Sequence, residues 1–221
     1  MKSLQIHIEV SAELYIKNPD SSELGRKIIS NSIEMINELG FEMFTFKKLG
    51  VKIDSPESSI YRYFENKHTL LIYLVSWYWS RIEYQLVFAT VNVDSPIEKL
   101  KNCIKILVQH EGIEQQTSYL DEVLLRKIII TESVKAYHTK DVDDENKKGF
   151  FNPYKNVVQR VSDIVLEINS KFEFPHMLIT TVIEGAHQQI YFAEHLPSLT
   201  DVKNGKDSIS EFYTKMVLNV I

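Results

Sequence analysis

The chain contains 221 residues, of which 44% are hydrophobic, and it carries a formal net charge of -5. This apolar content is sufficient for a folded core and excludes a disordered chain. With 7 glycines, 6 prolines and a single cysteine, the sequence disfavours a turn-rich β architecture and an internal disulfide. A reduced, cytoplasmic setting is therefore expected, and the acidic balance argues against indiscriminate nucleic-acid binding without excluding a local site.

The N-terminal residues differ from a targeting segment. His7 and Glu9 lie where a signal peptide would be apolar, and no apolar run approaches the roughly 18 residues of a membrane span. Alternation of apolar and polar residues from Leu4 to Val10 predicts a short extended arm or hairpin.

Helical spacing dominates the first half of the chain. Apolar residues recur at helical intervals from Leu24 to Leu39, with Ser21 or Ser22 as the cap and Gly40 as the terminator. Further helices are predicted at Phe46–Ile53 behind a Thr45 cap, at Pro56–Phe64 behind a Ser55 cap, and at Lys67–Val91.

The second half reads as a further helical bundle. Its helices are predicted at about Pro96–His110, Ser118–Tyr137, Asn152–Lys171, Pro175–His195 and Asp207–Val220, with a polar loop at Thr139–Gly149. The fold class is therefore all-α. We predict an N-terminal arm at residues 1–20, a small helical bundle at 21–71 and a larger one at 72–221, joined by the long helix.

The small bundle has the parts of a helix-turn-helix, because its last two helices are short and joined by a tight turn. A generic three-helix bundle would show the same helices. Between Thr45 and Lys67 the lysines and arginines exceed the acidic residues by two, inside an otherwise acidic chain. This excess suggests an anionic partner.

The stretch GFEMFTFKKLGVKIDSPESSIYRYFENKHTLL, Gly40 to Leu71, resembles the DNA-binding region of TetR-family transcriptional regulators. The resemblance extends from about Leu24. The matching positions are Gly40-Phe41, Thr45, Leu49-Gly50, Ile60-Tyr61, Phe64, Asn66-Lys67 and Leu70-Leu71. The resemblance implies a helix-turn-helix that binds double-stranded DNA, and a C-terminal helical bundle for ligand binding and dimerisation.

The sequence departs from the family pattern at the turn and at the start of the recognition helix. Asp54-Ser55 replaces Gly-Val, Ser58 replaces a glycine, and Glu57 replaces a frequent basic residue. Asp tolerates a left-handed turn position better than most residues, so the turn is expected to survive. Glu57 would repel phosphate but could accept a hydrogen bond from a cytosine amino group. The alternative is that DNA binding has weakened or been lost.

The resemblance also implies roles for individual side chains. Ile60 and Phe64 face the bundle, while Tyr61 and Lys67 reach phosphates. The predicted DNA-binding set is Thr45, Lys47, Lys48, Glu57, Ser58, Ser59, Tyr61, Arg62 and Lys67.

The larger bundle is expected to hold an effector and to form a homodimer. Aromatic residues on the long helix either fill a core or line a partly apolar ligand pocket, for which we name Trp77, Tyr78, Phe88, His110 and Tyr119. Wide apolar stripes on the helices after Asn152 predict an interface formed by Val157, Val161, Ile164, Ile168, Ile179, Ile183 and Ile190. A symmetric dimer favours a palindromic operator, and repression is the expected outcome.

Other classes of function have weaker support in the sequence. One Glu-x-x-His motif, Glu184 to His187, is too little for a di-metal carboxylate bundle, and Asp141–Asn146 lacks the glycine of a calcium loop. We therefore expect no catalytic residues, no metal and no cofactor. The remaining rival is an all-helical dimeric sensor or adaptor that has lost DNA binding.

Overall fold

The computed structural model describes residues 8, 10–108, 119–202 and 207–221. Within these residues the chain is all-helical and contains no strand, which confirms the predicted fold class. The predicted extended arm lies almost entirely outside the described residues. Two compact units are present: Met1–Ser80 with Ile113–Asn152, and Arg81–Gly112 with Pro153–Ile221.

Helix α1 spans Glu23–Leu39 in the first unit. The Ser22 hydroxyl caps it by accepting from the Gly25 N–H at 3.1 Å, and Gly40 ends it with a positive φ of 76°. Ile28, Ile29 and Ile33 are fully buried along one face, as the helical spacing predicts.

Helices α2 (Phe46–Lys52) and α3 (Glu57–Ile60) form the helix-turn-helix. The Thr45 hydroxyl caps α2 by accepting from the Lys48 N–H at 3.2 Å, as predicted. Asp54 adopts the left-handed conformation, with φ of 52°, so the turn survives without glycine. We call the segment Thr45–Arg62 the reading head.

Two predictions about α3 were wrong. Pro56 is its N-cap, with no side-chain cap bond, whereas Ser55 was predicted. The helix ends at Ile60 instead of Phe64, because the chain tightens there: the Tyr63 N–H donates to the Ile60 carbonyl at 2.8 Å. The Tyr63 carbonyl also accepts from the Ile16 N–H, which ties this end to the N-terminal segment.

Helix α4 spans Lys67–Thr90, and residues 67–80 belong to the first unit. That unit also contains three later helices, α6 (Glu122–Glu132), α7 (Val134–Tyr137) and α8 (Val142–Lys147). One continuous helix at 118–137 and a loop at 139–149 were wrong predictions. Acidic residues in the first turn of α8 complement its dipole, and Glu145 is held there by His68 at 2.8 Å.

The second unit contains α5 (Pro96–Val108), most of α9 (Asn152–Ile168), α10 (Pro175–His195) and α11 (Ser208–Val220). Its core is built from fully buried aliphatic residues, among them Leu100, Val161 and Ile183. Cys103 is buried there, and burial raises the pKa of its thiol to about 12. None of the described helices is long and apolar enough to cross a membrane.

Gly25 provides a test of packing in the first unit. It lies on α1 against the 3₁₀ turn Pro19–Ser21, and a Cβ at this position would come within 2.7 Å of Pro19 Cα and 2.8 Å of its carbonyl carbon. Because only backbone atoms could yield, Gly25→Ala should lower the free energy of unfolding by about 1–3 kcal/mol, despite its better helix propensity.

Urea denaturation followed by circular dichroism would measure the change. Ser30→Ala, in the same helix but half-buried, is the control and should shift stability by no more than about 0.5 kcal/mol. An unchanged midpoint for Gly25→Ala would contradict the close approach of α1 to Pro19.

Candidate nucleic-acid interface

The reading head separates a buried face from an exposed polar face. Ile60 and Phe64 are fully buried, and Phe46 is 4% exposed, so these side chains fix the two helices against the first unit. The structure brings the predicted DNA-binding residues together on or beside this head. The exposed members are Thr45, Lys47, Lys48, Ser58, Tyr61 and Arg62, and the half-buried ones are Glu57, Ser59 and Lys67.

Tyr61 and Glu57 form a hydrogen-bonded pair at the tip of α3. The Tyr61 hydroxyl donates to Glu57 Oε1 at 3.2 Å, and its ring packs edge-on against Phe46 with centroids 5.1 Å apart. The side chain remains 46% exposed. Partial desolvation and the Glu57 carboxylate raise the pKa of Tyr61, so its hydroxyl stays protonated and able to donate at neutral pH.

The cations of the reading head are not equally available. Lys47 and Arg62 are exposed and form no ion pair within the described part of the chain. Lys48 donates from its ammonium to the Met43 carbonyl at 2.8 Å. Lys52 is bound by Glu34 at 2.8 Å, which largely cancels its charge. The positive surface is therefore smaller than the count of lysines in the sequence indicates.

Lys67 has a structural role that sequence reasoning missed. Its ammonium donates to the carbonyls of Phe41, Glu42 and Phe44 at 2.9, 3.0 and 3.2 Å. It also lies 4.7 Å from the centroid of the Phe41 ring. Three carbonyls use the three donors of an ammonium group, so Lys67 holds the loop between α1 and α2. Its predicted phosphate contact stays a prediction.

Glu132 on α6 holds the same loop with a carboxylate, whose charge is opposite to that of the Lys67 ammonium. Its buried carboxylate accepts from the Phe41 N–H at 3.0 Å and pairs with Lys135 at 2.7 Å. Lys135 also reaches Glu42 at 3.1 Å. Sequence reasoning could not detect this contact, because Phe41 and Glu132 are 91 positions apart.

Comparison with solved structures identifies the architecture. No protein-family model matches the sequence, and no curated protein matches it. A regulatory protein of the tetR family from Rhodococcus RHA1 aligns with a TM-score of 0.62 at 10% identity, over 90% of this chain and 97% of that one. AibR, in complex with isovaleryl coenzyme A and operator DNA, aligns at 0.57 and 12% identity, over 89% and 100%. The chain has a TetR-like fold.

The same fold occurs in a protein described as a superantigen. The superantigen PfiT aligns with a TM-score of 0.59 at 13% identity, over 90% of this chain and 96% of that one. Identities this low establish the fold alone. The function of the TetR-like chain therefore has to be argued from its own residues.

The predicted ligand-pocket residues are divided between the two units. Trp77 and Tyr78 are buried in the first unit, where Tyr119 donates from its hydroxyl to Asp20. Phe88 belongs to the second unit and is 59% exposed. His110 lies outside the described residues. Trp77 and Tyr78 are buried, as the side chains around an enclosed ligand are, whereas Phe88 is largely exposed.

A groove of about 580 Å³ in the second unit was not predicted. Its lining is polar and includes Glu83, Lys99, Arg160 and Glu167. These charges are already paired, with Arg160 at 3.4 Å from Glu83 and Lys99 at 3.1 Å from Glu167. The groove is therefore unlike the partly apolar ligand pocket that the sequence predicts.

The predicted dimer residues require a correction. Six of them, Val157, Val161, Ile164, Ile179, Ile183 and Ile190, are at most 5% exposed within the single chain, and Ile168 is half-buried. The wide stripes reflect helices covered on more than one side by their own chain. The exposed apolar side chains in this region include Phe174, Met177 and Tyr191.

The Glu-x-x-His motif on α10 is divided between two environments. Glu184 is exposed and accepts from the Tyr154 hydroxyl at 2.9 Å, whereas His187 is buried. No cluster of three or more metal-ligating side chains occurs within the described ranges.

The structural role of Lys67 can be measured without DNA. Lys67→Ala removes a charged donor from three partly buried carbonyls and should lower the free energy of unfolding by about 1.5–3 kcal/mol. Lys47→Ala is the matched control, because this exposed lysine has no ion pair in the described structure, and it should change stability by less than about 0.5 kcal/mol. Equal urea midpoints for the two variants would contradict the structural role.

Proposed function

We propose that this chain is a ligand-responsive, DNA-binding transcriptional regulator of the TetR type. In this proposal it works in the cytoplasm as a homodimer on a palindromic operator and represses transcription until an effector binds. The observation that carries the proposal is the reading head, in which Ile60 and Phe64 are fully buried while a continuous set of polar side chains is exposed.

The reading head offers groups for both kinds of DNA contact. Lys47, Lys48 and Arg62 would bind phosphates, together with the Thr45 and Tyr61 hydroxyls, and these contacts would position the protein. Glu57, Ser58 and Ser59 begin α3 and would face base edges in the major groove. A carboxylate accepts from the amino group of cytosine, so Glu57 would select C·G pairs. In the free chain the Tyr61 hydroxyl donates its single proton to that carboxylate, and it would release Glu57 when it donates to a phosphate instead.

Regulation requires that the effector binds one conformation better than another. The proposed dimer would place two reading heads on two half-sites, and the effector would change their separation by its differential affinity for the two states. AibR has been solved with both a coenzyme A thioester and operator DNA, which supports a related arrangement for this TetR-like chain.

A sensor or adaptor without DNA binding is the second candidate. Glu57 at the reading surface and the pairing of Lys52 with Glu34 both reduce its attraction for phosphate. PfiT, a superantigen, has the same fold, so the fold alone does not establish DNA binding. This candidate predicts no salt-dependent, sequence-preferring DNA binding.

Fluorescence anisotropy with DNA from directly upstream of the chain's own gene, against scrambled DNA, tests the proposal. We expect sequence-preferring affinity that falls as salt rises, because bound phosphates release counterions. Lys47→Ala should reduce the slope of log affinity against log salt by about 1 for each reading head. Tyr61→Phe should weaken binding.

Specificity is tested separately from affinity. Glu57→Gln should relax the preference at one base pair in each half-site by about 1–3 kcal/mol, measured with singly substituted operators. Lys105→Ala, an exposed lysine on α5, is the control for a general charge effect and should leave binding unchanged. If a genome-wide selection of bound fragments also recovers no preferred sequence, the DNA-binding proposal fails and the sensor candidate replaces it.

A further inference from the structure

Arg126 is a half-buried residue whose guanidinium has two buried donors without partners. It lies on α6 in the first unit, and its Nε and Nη2 atoms are buried without a hydrogen-bond partner among the described residues. Burial lowers the pKa of this guanidinium, but arginine remains charged at neutral pH. An uncompensated buried charge is strongly unfavourable. Its retention calls for an anion that binds there.

The two atoms define the shape of that anion. Nε and Nη2 form the side-on edge of the guanidinium plane, where two N–H groups point in parallel. This fork matches the two oxygens of a carboxylate in a bidentate pair.

Tyr78 is a buried residue whose hydroxyl responds to the charge of Arg126. It lies on α4 in the same unit and is 8% exposed. Burial raises the pKa of Tyr78, and the charge of Arg126 opposes that shift, so the two groups act on each other. The Glu122 carboxylate also acts on Tyr78. A neutral tyrosine hydroxyl beside a guanidinium completes a receptor for a carboxylate.

The surroundings define the rest of the ligand. Leu125, Ile128 and Ile129 are buried on α6, and Trp77 is buried next to Tyr78 on α4. Such side chains favour an apolar body and offer little to a sugar or a polyanion. We propose that Arg126 and Tyr78 bind the carboxylate of a small monocarboxylic acid with an apolar chain. Treating this acid as the effector rests on the proposed function, whereas the binding itself does not.

Arg160 shows what a structurally paired arginine looks like in this chain. It lies on α9 in the second unit, and its guanidinium contacts the Glu83 carboxylate at 3.4 Å. Arg126 has no ion pair of this kind in the described structure. Arg160→Gln is therefore the matched control for the same substitution at Arg126.

The test compares straight-chain C4–C10 monocarboxylates with primary alcohols of the same lengths, on purified protein without DNA, by thermal shift and calorimetry. At neutral pH the acids are ionised. We expect at least one acid to bind more tightly than its alcohol by on the order of tenfold or more, because the buried donors are left unpaired by the alcohol. Arg126→Gln should abolish this preference, Tyr78→Phe should reduce it, and Arg160→Gln should keep it.

The ligand-free variants separate binding from a purely structural role. Removing an uncompensated buried charge should leave the melting temperature of Arg126→Gln equal to or above that of the wild type, and a decrease would overturn the proposal. Arg126→Lys keeps the charge but lacks the fork, so it is a second test of the preference. This variant should bind the acids more weakly than the wild type does.

Two further results would overturn the inference: no acid binds better than its alcohol, or Arg126→Gln retains the preference. Acid binding by a chain that recognises no DNA would leave this inference standing and remove the proposed regulator. DNA binding without a preference for acids would support the proposed regulator and overturn this inference.

Discussion

The reading head depends on how the ammonium of Lys67 is hydrogen-bonded. The loop between α1 and α2 contains carbonyls that no helix satisfies, and buried carbonyls without partners are costly. Lys67, at the first position of α4, satisfies three of them at once. This arrangement sets where α2 begins relative to α4. The positions of α2 and α3 relative to α4 follow from that placement.

The same loop connects the head to α6. Glu132 accepts from the Phe41 N–H, while Lys67 donates to the Phe41 carbonyl, so both sides of one residue's backbone are held by side chains of opposite charge. If α6 moves, either the hydrogen bond between Glu132 and the Phe41 N–H breaks or the loop moves with the helix. Because a buried charge-assisted hydrogen bond is strong, movement of the loop with the helix is favoured. The contact gives a physical route by which an event on α6 would reach the reading head, since α6 also bears Arg126.

The sequence predicted what local rules determine. The Thr45 cap, the left-handed Asp54 and the Pro175–His195 helix depend on neighbours within a few positions, and all three are observed. It did not reveal the role of Lys67, because the family resemblance assigns a role from position and cannot show which carbonyls lie nearby. The choice of dimer-interface residues rested on a related ambiguity: an apolar stripe indicates burial, but not whether the covering surface belongs to the same chain.

Two arginines of similar burial illustrate how structure separates stability from binding. Arg160 contacts a carboxylate of its own chain, which compensates its charge as Glu132 does for Lys135. Arg126 has two buried donors without such a group among the described residues. If only stability mattered, an apolar residue in place of Arg126 would give a more stable chain. The uncompensated charge lies on α6, the helix that holds the loop of the reading head. An anion that bound to it would therefore stabilise the same helix that contacts this loop.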